Sequence, residues 1–329
     1  MKQYDFIAIG DTVTDAFIRL ENPSAHLDID KGAKEICMRF ADKIPYKDVT
    51  VVPAVGNSAN AAVAASRLDL KSALVSNIGD DYFGKECLDA LKKENVGAEF
   101  MKMHAGAKTN YHYVLWYEDD RTILIKHESY PYSLPDFDDP KWVYFSSLGG
   151  NSEEFHKTVE NYLMAHPDIK LAFQPGTFQI KMGKEKIAKI YQRTEVFICN
   201  KEEAQIILEA KEKDLKKLMA GLHQLGPKIV VVTDGPAGAY ASDIASAWFM
   251  PPYPDPKPPF ERTGAGDAFS STLVAYLAKG MSLTDSLKRA PINSMSVVQY
   301  VGAREGLLSA DQIEDYIKKA PPDYEPKKI

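Results

Sequence analysis

The stretch Arg262-Thr263-Gly264-Ala265-Gly266-Asp267-Ala268-Phe269 decides how the rest of this chain is read. A turn of small residues runs directly into a helix: Phe269, Leu273, Tyr276 and Leu277 recur at helical spacing after Asp267, Lys279 falls in the last turn and Gly280 stops it. Gly264, Ala265 and Gly266 then lie at a helix N-terminus. Unpaired backbone N–H groups and the positive end of the helix dipole make such a mouth an anion site, and the missing side chains let a phosphate reach the backbone. From this segment alone a second reading is as good: Asp267 merely favours the dipole and the glycines merely make a turn.

The chain has 329 residues, 45% hydrophobic and 26% charged, which suits one large domain or a large domain with a small satellite. Its formal charge of -6 offers no basic surface to nucleic acid, so an anionic ligand must be held by local geometry. Cys37, Cys87 and Cys199 have no metal-type spacing, and two of them fall in apolar segments that suit a small buried thiol. No apolar run approaches the roughly 18 residues of a membrane span. The start, Met1-Lys2-Gln3-Tyr4-Asp5, lacks a secretory segment, so a cytoplasmic protein without membrane or nucleic-acid partners is expected.

Working outward, Tyr4 to Ile9 reads as a buried strand ending in Gly10-Asp11, with Asp15 close behind. In open α/β sheets ligands sit beyond the carboxyl ends of strands, so Asp11 and Asp15 are candidates to bond substrate hydroxyls; an Asp-closed turn is the equal alternative. The charged stretch Asp28 to Asp48 takes no assignment. Val51 to Val55 is a strand, and Gly56 opens a helix of small residues through Ala65 that can pack very close to its neighbours. Asn57 and Asn60 in its first turn offer donors and acceptors for a polyhydroxy ligand, although capping alone explains them more simply. Another strand, Ser72 to Ile78, leads to a helix carrying Phe83, Cys87, Ala90 and Leu91 on one face.

That rhythm then breaks. Tyr111 to Tyr117 and Thr122 to Lys126 alternate around Glu118-Asp119-Asp120-Arg121 as a hairpin. With Tyr111, Tyr113, Leu115 and Tyr117 on one face and His112, Val114 and Trp116 on the other, both faces are too apolar for water, so the hairpin should cover a ligand, a subunit or both. Strand and helix alternate again from Trp142 to Thr233, with a helix expected over Gly183 to Arg193 and a strand ending at Cys199. Repeated βα units predict an α/β fold with a mostly parallel sheet and helices on both faces. The polar tail, Pro321 to Ile329, is expected to fray.

Familiar nucleotide motifs fail on spacing. Between Gly176 and Gly183-Lys184 lie six residues where a P-loop requires four, and Glu185 stands where Ser or Thr is needed. Phe269 occupies the third glycine's place in a dinucleotide fingerprint, and no nucleophile elbow or zincin pattern is present. Four other segments, in order, resemble the ribokinase-like (PfkB) carbohydrate kinases. Gly264 to Phe269 is similar to that family's C-terminal signature, and Gly56 to Ala65 with Ile78-Gly79-Asp80-Asp81-Tyr82-Phe83-Gly84 to its N-terminal one. Asn200-Lys201-Glu202-Glu203 matches an Asn-x-x-Glu element, and Thr233-Asp234-Gly235 with Gly238 resembles a nucleotide loop.

The resemblance implies a single kinase domain over 1–329, with a β lid from about 108–128 and a contribution from part of 11–50 left open. It implies that Asp267 is the general base toward a substrate hydroxyl and that the Gly264, Ala265 and Gly266 amides hold the phosphoryl group transferred from ATP. Asn200 and Glu203 would orient Mg²⁺ through water, and Thr233, Gly235 and Gly238 would meet the nucleotide. Asp15, Gly56, Asn57 and Asn60 fall where substrate hydroxyls bind, with Asp11 a neighbour. The lid closes over substrate and in many members pairs two copies into a dimer. Val55 replaces a glycine of the pattern, Gln174-Pro175 stands where Asn-Pro is common, and Glu261-Arg262-Thr263 replaces the Asp-Thr-Thr that shapes a monovalent-cation site, leaving potassium activation open. The expected reaction is ATP-dependent phosphorylation of a primary hydroxyl of a small sugar. A nucleoside kinase of the same fold is the alternative, with Tyr111, Tyr113 and Trp116 as base-stacking candidates. A non-catalytic ligand-binding relative is a third, opposed by retention of Asp267, both glycines, Asn200 and Glu203.

Overall fold

The computed structural model describes residues 3–21, 25–30 and 33–329. In chain order its strands are β1 (Phe6–Ile9), β2 (Val13–Arg19), β3 (His26–Asp30), β4 (Ala33–Cys37), β5 (Asp48–Val55), β6 (Ser72–Gly79), β7 (Met101–His104) and β8 (Tyr111–Tyr117). They continue as β9 (Asp120–Leu124), β10 (Trp142–Phe145), β11 (Lys170–Phe173), β12 (Val196–Asn200), β13 (Ile229–Thr233), β14 (Ala239–Asp243), β15 (Ala247–Met250) and β16 (Lys327–Lys328). The helices are α1 (Asn57–Arg67), α2 (Tyr82–Lys93), α3 (Glu153–Ala165), α4 (Thr177–Met182) and α5 (Ala188–Arg193), then α6 (Lys201–Leu208), α7 (Leu215–Gln224), α8 (Ala265–Ala278), α9 (Leu283–Val297) and α10 (Ala310–Lys318).

One ten-stranded sheet runs β16-β15-β14-β13-β12-β11-β10-β1-β6-β7. From β7 to β13 neighbours are parallel, and β14 to β16 add an antiparallel edge. The parallel strands are apolar on both faces because each alternate residue meets a different core. Phe6, Ala8, Tyr144 and Ile198 pack under α1, α8 and α9, whereas Ile7, Ile9, Phe145 and Phe197 pack under α3, α5 and α7. That two-sided burial is why these strands read as continuous apolar runs. In α1 the residues from Ser58 to Ala65 are all buried, and their small side chains let α8 come close.

A second sheet has the order β5-β2-β8-β9. The hairpin read from the alternation of Tyr111 to Lys126 is β8 and β9, joined through Glu118 at φ 58°. It does not stand alone: β2 pairs parallel with β8 and antiparallel with β5, so segments on both sides of α1 and α2 share one sheet. The strand β2, Val-Thr-Asp-Ala-Phe-Ile-Arg, follows directly on Asp11, and the sequence reading assigned it no element.

Three further expectations change. The helix expected over Gly183 to Arg193 is only α5, from Ala188; a separate α4 precedes it and ends at Gly183, whose φ of 92° leaves the helical region. The unassigned stretch after Asp28 contains the β3–β4 hairpin, where Leu27 is 41% and Ile29 70% exposed. A hairpin whose apolar contact among the described residues is limited to Ile36 at its base carries little apolar period to read. The tail is packed rather than frayed: Tyr324 is buried, its hydroxyl donates to the Lys288 carbonyl (2.8 Å), and β16 pairs with β15. One aromatic anchor outweighs the polar composition around it.

Candidate active site

The candidate residues gather at the carboxyl ends of β11, β12 and β13 and at the mouth of α8. Gly264 caps α8 with φ 83°, and a Cβ there would lie 2.3 Å from the Ala303 Cβ and 2.5 Å from its Cα. Only glycine fits. The first bond of the helix runs from the Ala268 N–H to the Gly264 carbonyl (2.8 Å), which leaves the amides of Ala265, Gly266 and Asp267 outside the helical ladder. Nothing lies within 4 Å of where a Gly266 side chain would begin, so that amide borders open space.

Asp267 is held from two sides. Asn60 Nδ2, from the first turn of α1, donates to its Oδ2 at 2.8 Å, and Gln174 Nε2, just past β11, donates to its Oδ1 at 3.2 Å. The buried Tyr144 hydroxyl in turn donates to Gln174 Oε1, and burial keeps that phenol well above its ordinary pKa and hence a donor. Gln174 is thus no passive departure from a family pattern but a direct partner of the central acid. Burial pushes the Asp267 carboxyl above its ordinary value, with the two amide bonds opposing the shift. Glu203 is raised too, first by burial, against the Asn200 amide bond, with Asp267 adding like charge.

Asn200 and Glu203 form a reciprocal cap at the start of α6. The Glu203 N–H donates to Asn200 Oδ1 and the Asn200 N–H to Glu203 Oε2, both at 2.8 Å. The pair thus starts a helix, while both residues also line the smaller of two adjoining cavities. Among the described residues no group of three or more His, Cys, Asp and Glu is arranged to hold a metal directly.

The two cavities meet at this point. The first, about 370 Å³, is lined by Asp15, Gly56, Asn57, Asn60, Asn200 and Glu203 as well as by Asp267 and the Gly264-Ala265-Gly266 turn. The second, about 710 Å³, is lined by Gly235, Gly238, the proline-rich Pro251–Pro254 and Phe269, Met295 and Val298. Thr233, Arg262, Ala265 and Gly266 belong to both walls. Asp267 opens into the first alone.

Of the residues expected to meet hydroxyls, phosphates or metal, Asp11 alone lies on neither wall. It is buried and fully engaged, accepting from the Gly149 N–H (2.8 Å), Tyr132 hydroxyl (2.9 Å) and His127 Nδ1 (2.9 Å). Val55 is also buried away from the cavity, and the close approach belongs to Gly56, at φ 104°, whose Cβ would stand 3.0 Å from the Asp11 carbonyl.

The aromatic residues expected to stack a base do not line the cavity. Strand pairing puts His112 opposite Asp15 and Val114 opposite Phe17 on the inner face of the small sheet, and Tyr113 opposite Ala16 on the outer face, 50% exposed. Tyr111 packs on Phe83 with ring centroids 4.6 Å apart, and Trp116 meets Phe260 edge to face at 5.0 Å. What does line the cavity from that side is His112, Arg121, Ile123, Ile125 and His127, with Phe178 its aromatic member. The histidines were missed because only strand register shows which face turns inward. Asp15 Oδ1, Asn60 Oδ1 and His112 Nε2 are buried with no hydrogen-bond partner among the described residues, although Asp15 Oδ1 is 3.4 Å from His112 Nδ1.

The sequence matches the pfkB family carbohydrate kinase description over residues 34–310. It is 25% identical over 281 residues to a ribokinase of Mus musculus, covering 76% of this chain and 79% of that one. A nucleoside kinase of Methanothermobacter thermautotrophicus is 22% identical over 258 residues, covering 77% and 80%. The fold superposes on Arabidopsis thaliana ribokinase, solved with ribose and ATP, at a TM-score of 0.76 and 17% identity over 96% of this chain and 99% of that one. Sheet, helices and separate small sheet are those of a ribokinase-like α/β kinase. The chain belongs to the PfkB family of carbohydrate kinases.

Proposed function

We propose that this kinase transfers the γ-phosphoryl group of ATP, with Mg²⁺, to a primary hydroxyl of a small sugar. The observation that carries the reading is the junction of the two cavities at Ala265 and Gly266, with Asp267 facing only the smaller one. A hydroxyl bound beside Asp267 and a phosphate bound at the helix mouth would then be neighbours. In-line transfer depends on that positioning and on stabilising charge on the phosphoryl oxygens.

In the mechanism the residues imply, Asp267 accepts the proton of the attacking hydroxyl as its oxygen bonds to phosphorus. The bridging P–O bond breaks and ADP leaves with the electron pair. Asn60 and Gln174 aim the carboxylate, and their bonds counter the burial that would otherwise keep it protonated. The free amides of Ala265 and Gly266 stabilise the phosphoryl oxygens. The larger cavity's wall of Tyr253, Met295, Val298 and prolines suits a flat base, and Thr233, Gly235 and Gly238 border the phosphates. Mg²⁺ would supply charge neutralisation between phosphate oxygens. With one Glu203 oxygen committed to Asn200, this pair fits a hydrated ion better than a directly ligated one.

The three orphaned buried atoms of Asp15, Asn60 and His112 support a polyhydroxy ligand, since buried polar groups almost always find partners. Loss of the tyrosine stacking argument weighs against a nucleoside, and what favours that second reading is Phe178 in the wall. We read the small sheet as a lid and its outer face, where Val51, Tyr113 and Leu124 are each about half exposed, as the face that pairs two copies. A cytoplasmic setting suits an ATP-using enzyme. No helix among the described residues is long and apolar enough to cross a membrane. The test is ADP release with Mg·ATP across pentoses, hexoses, sugar phosphates and nucleosides. A sugar response with silent nucleosides is expected, and the reverse pattern overturns the sugar assignment.

A further inference from the structure

The acids at the junction raise a question of charge. The first cavity carries Asp15, Glu203 and Asp267 in its wall, and the chain as a whole is negative by 6. A polyphosphate must nevertheless be received there. Among the described residues, Arg262 is the only Lys or Arg lining the larger cavity, and it is shared with the smaller one, whose other guanidinium is Arg121. Arg262 sits two residues before Gly264, the cap of α8, so its backbone is fixed by the same turn that presents the amides.

Its side chain is aimed from across the cleft. Asp119, in the turn between β8 and β9, accepts from both Nε (3.1 Å) and Nη2 (3.0 Å) through a single oxygen, Oδ2. That grip takes one edge of the guanidinium and leaves Nη1 without a partner among the described residues. Both side chains are accessible, at 37% and 51%, so the pair is weak and open to exchange with a stronger anion. The neighbouring Phe260 holds the same turn region by its contact with Trp116, and Arg19 lies 4.6 Å over the Trp116 ring. Position at the junction, a preset fork and a spare donor edge are what a phosphoryl-contacting arginine needs.

We propose that Arg262 contacts the γ-phosphoryl group during transfer and that Asp119 is a positioning residue which aims it. As the substrate oxygen bonds to phosphorus, the bridging P–O bond breaks and the proton passes to Asp267, Nη1 of Arg262 takes the charge on a phosphoryl oxygen. Closure of the small sheet and stabilisation of the reacting phosphate are thereby linked through one ion pair. The inference rests on the kinase reading above.

The experiment compares equilibrium binding of MgADP alone with that of MgADP plus aluminium fluoride, a mimic of the transferring phosphoryl group, in the full-length protein. Wild type should bind the fluoride complex more tightly. Arg262→Ala should lose about 100-fold of that preference, as removal of an oxyanion donor does, while MgADP affinity stays within about threefold. Arg262→Lys, which keeps the charge but not the fork, should fall between, and Asp119→Asn should lose roughly three- to tenfold. Added guanidinium ion should restore part of the turnover of Arg262→Ala, which repair of a merely structural defect would not do. If Arg262→Ala retains the full fluoride preference, the arginine has no such role although the kinase reading stands. If wild type fails to bind MgADP at all, the kinase reading itself is lost.

Discussion

The two walls of the cleft are built on different principles. On the body side, the α8 mouth, Asp267, Gln174 and the buried Tyr144 form a connected chain of groups fixed by strand ends and helix starts. On the small-sheet side, the cavity is met by side chains of β8, β9 and the segment after them; Asp119 in the turn between those strands holds Arg262 through an accessible ion pair, and Trp116 of β8 meets Phe260. On the kinase reading proposed above, the body would fix the chemistry and the small sheet would control access and specificity. Rigid elements place reacting groups, and weakly tethered ones supply motion.

The comparison can be broken by perturbing each wall in turn. Gly264→Ala forces a side chain against Ala303 at a left-handed position and should cost about 2–4 kcal/mol of stability. Turnover should fall by roughly 1,000-fold or more as the anion site is displaced; urea unfolding and steady-state rates check both, and a near-normal variant would show that the turn is not tightly specified. Trp116→Ala on the other wall removes a buried ring and should cost about 3 kcal/mol, with KM for the sugar rising more than kcat falls. An equal loss confined to kcat would place this wall in the chemistry.

A subtler test lies within the body wall. Because Asp267 works as a base only when ionised, turnover is expected to fall as pH drops through its raised pKa. Gln174→Leu removes a bond that favours the charged form, so the acidic limb of the rate profile should move to higher pH and turnover at neutral pH should drop by about fivefold. An unmoved limb would assign that limb to another group. Smallest of all, Tyr113→Lys on the outer face should change stability by no more than about 0.5 kcal/mol. Light scattering should show it shifting a dimer toward monomer, and an unchanged mass would remove this face from the pairing.

How far the sequence could be read follows the same division. The large sheet was legible because β1, β10 and the core of β13 are buried on both faces and leave apolar runs. The α8 mouth was legible because a run of small residues directly before a helical period marks a helix start. The small sheet was half legible. Its hairpin alternates, but β2 mixes Thr, Asp and Arg with apolar residues, and nothing local says that it will pair with β8 almost a hundred residues later. Register alone turns His112 inward and Tyr113 outward, away from the cavity. Asp11 was legible only as a residue beyond a strand end; the fold shows its carboxylate accepting from Gly149, Tyr132 and His127. Gln174 could be seen only as a departure until the fold brought it to Asp267 across 93 positions.

The central claim is that Asp267 receives the proton of a hydroxyl bound in the smaller cavity while the nucleotide is held independently next door. It is tested most directly by measuring turnover and MgADP affinity together in Asp267→Asn. The account predicts a fall in kcat of about 100- to 10,000-fold with MgADP affinity changed by less than roughly threefold. Turnover within tenfold of wild type, or loss of MgADP binding in parallel with turnover, would contradict it.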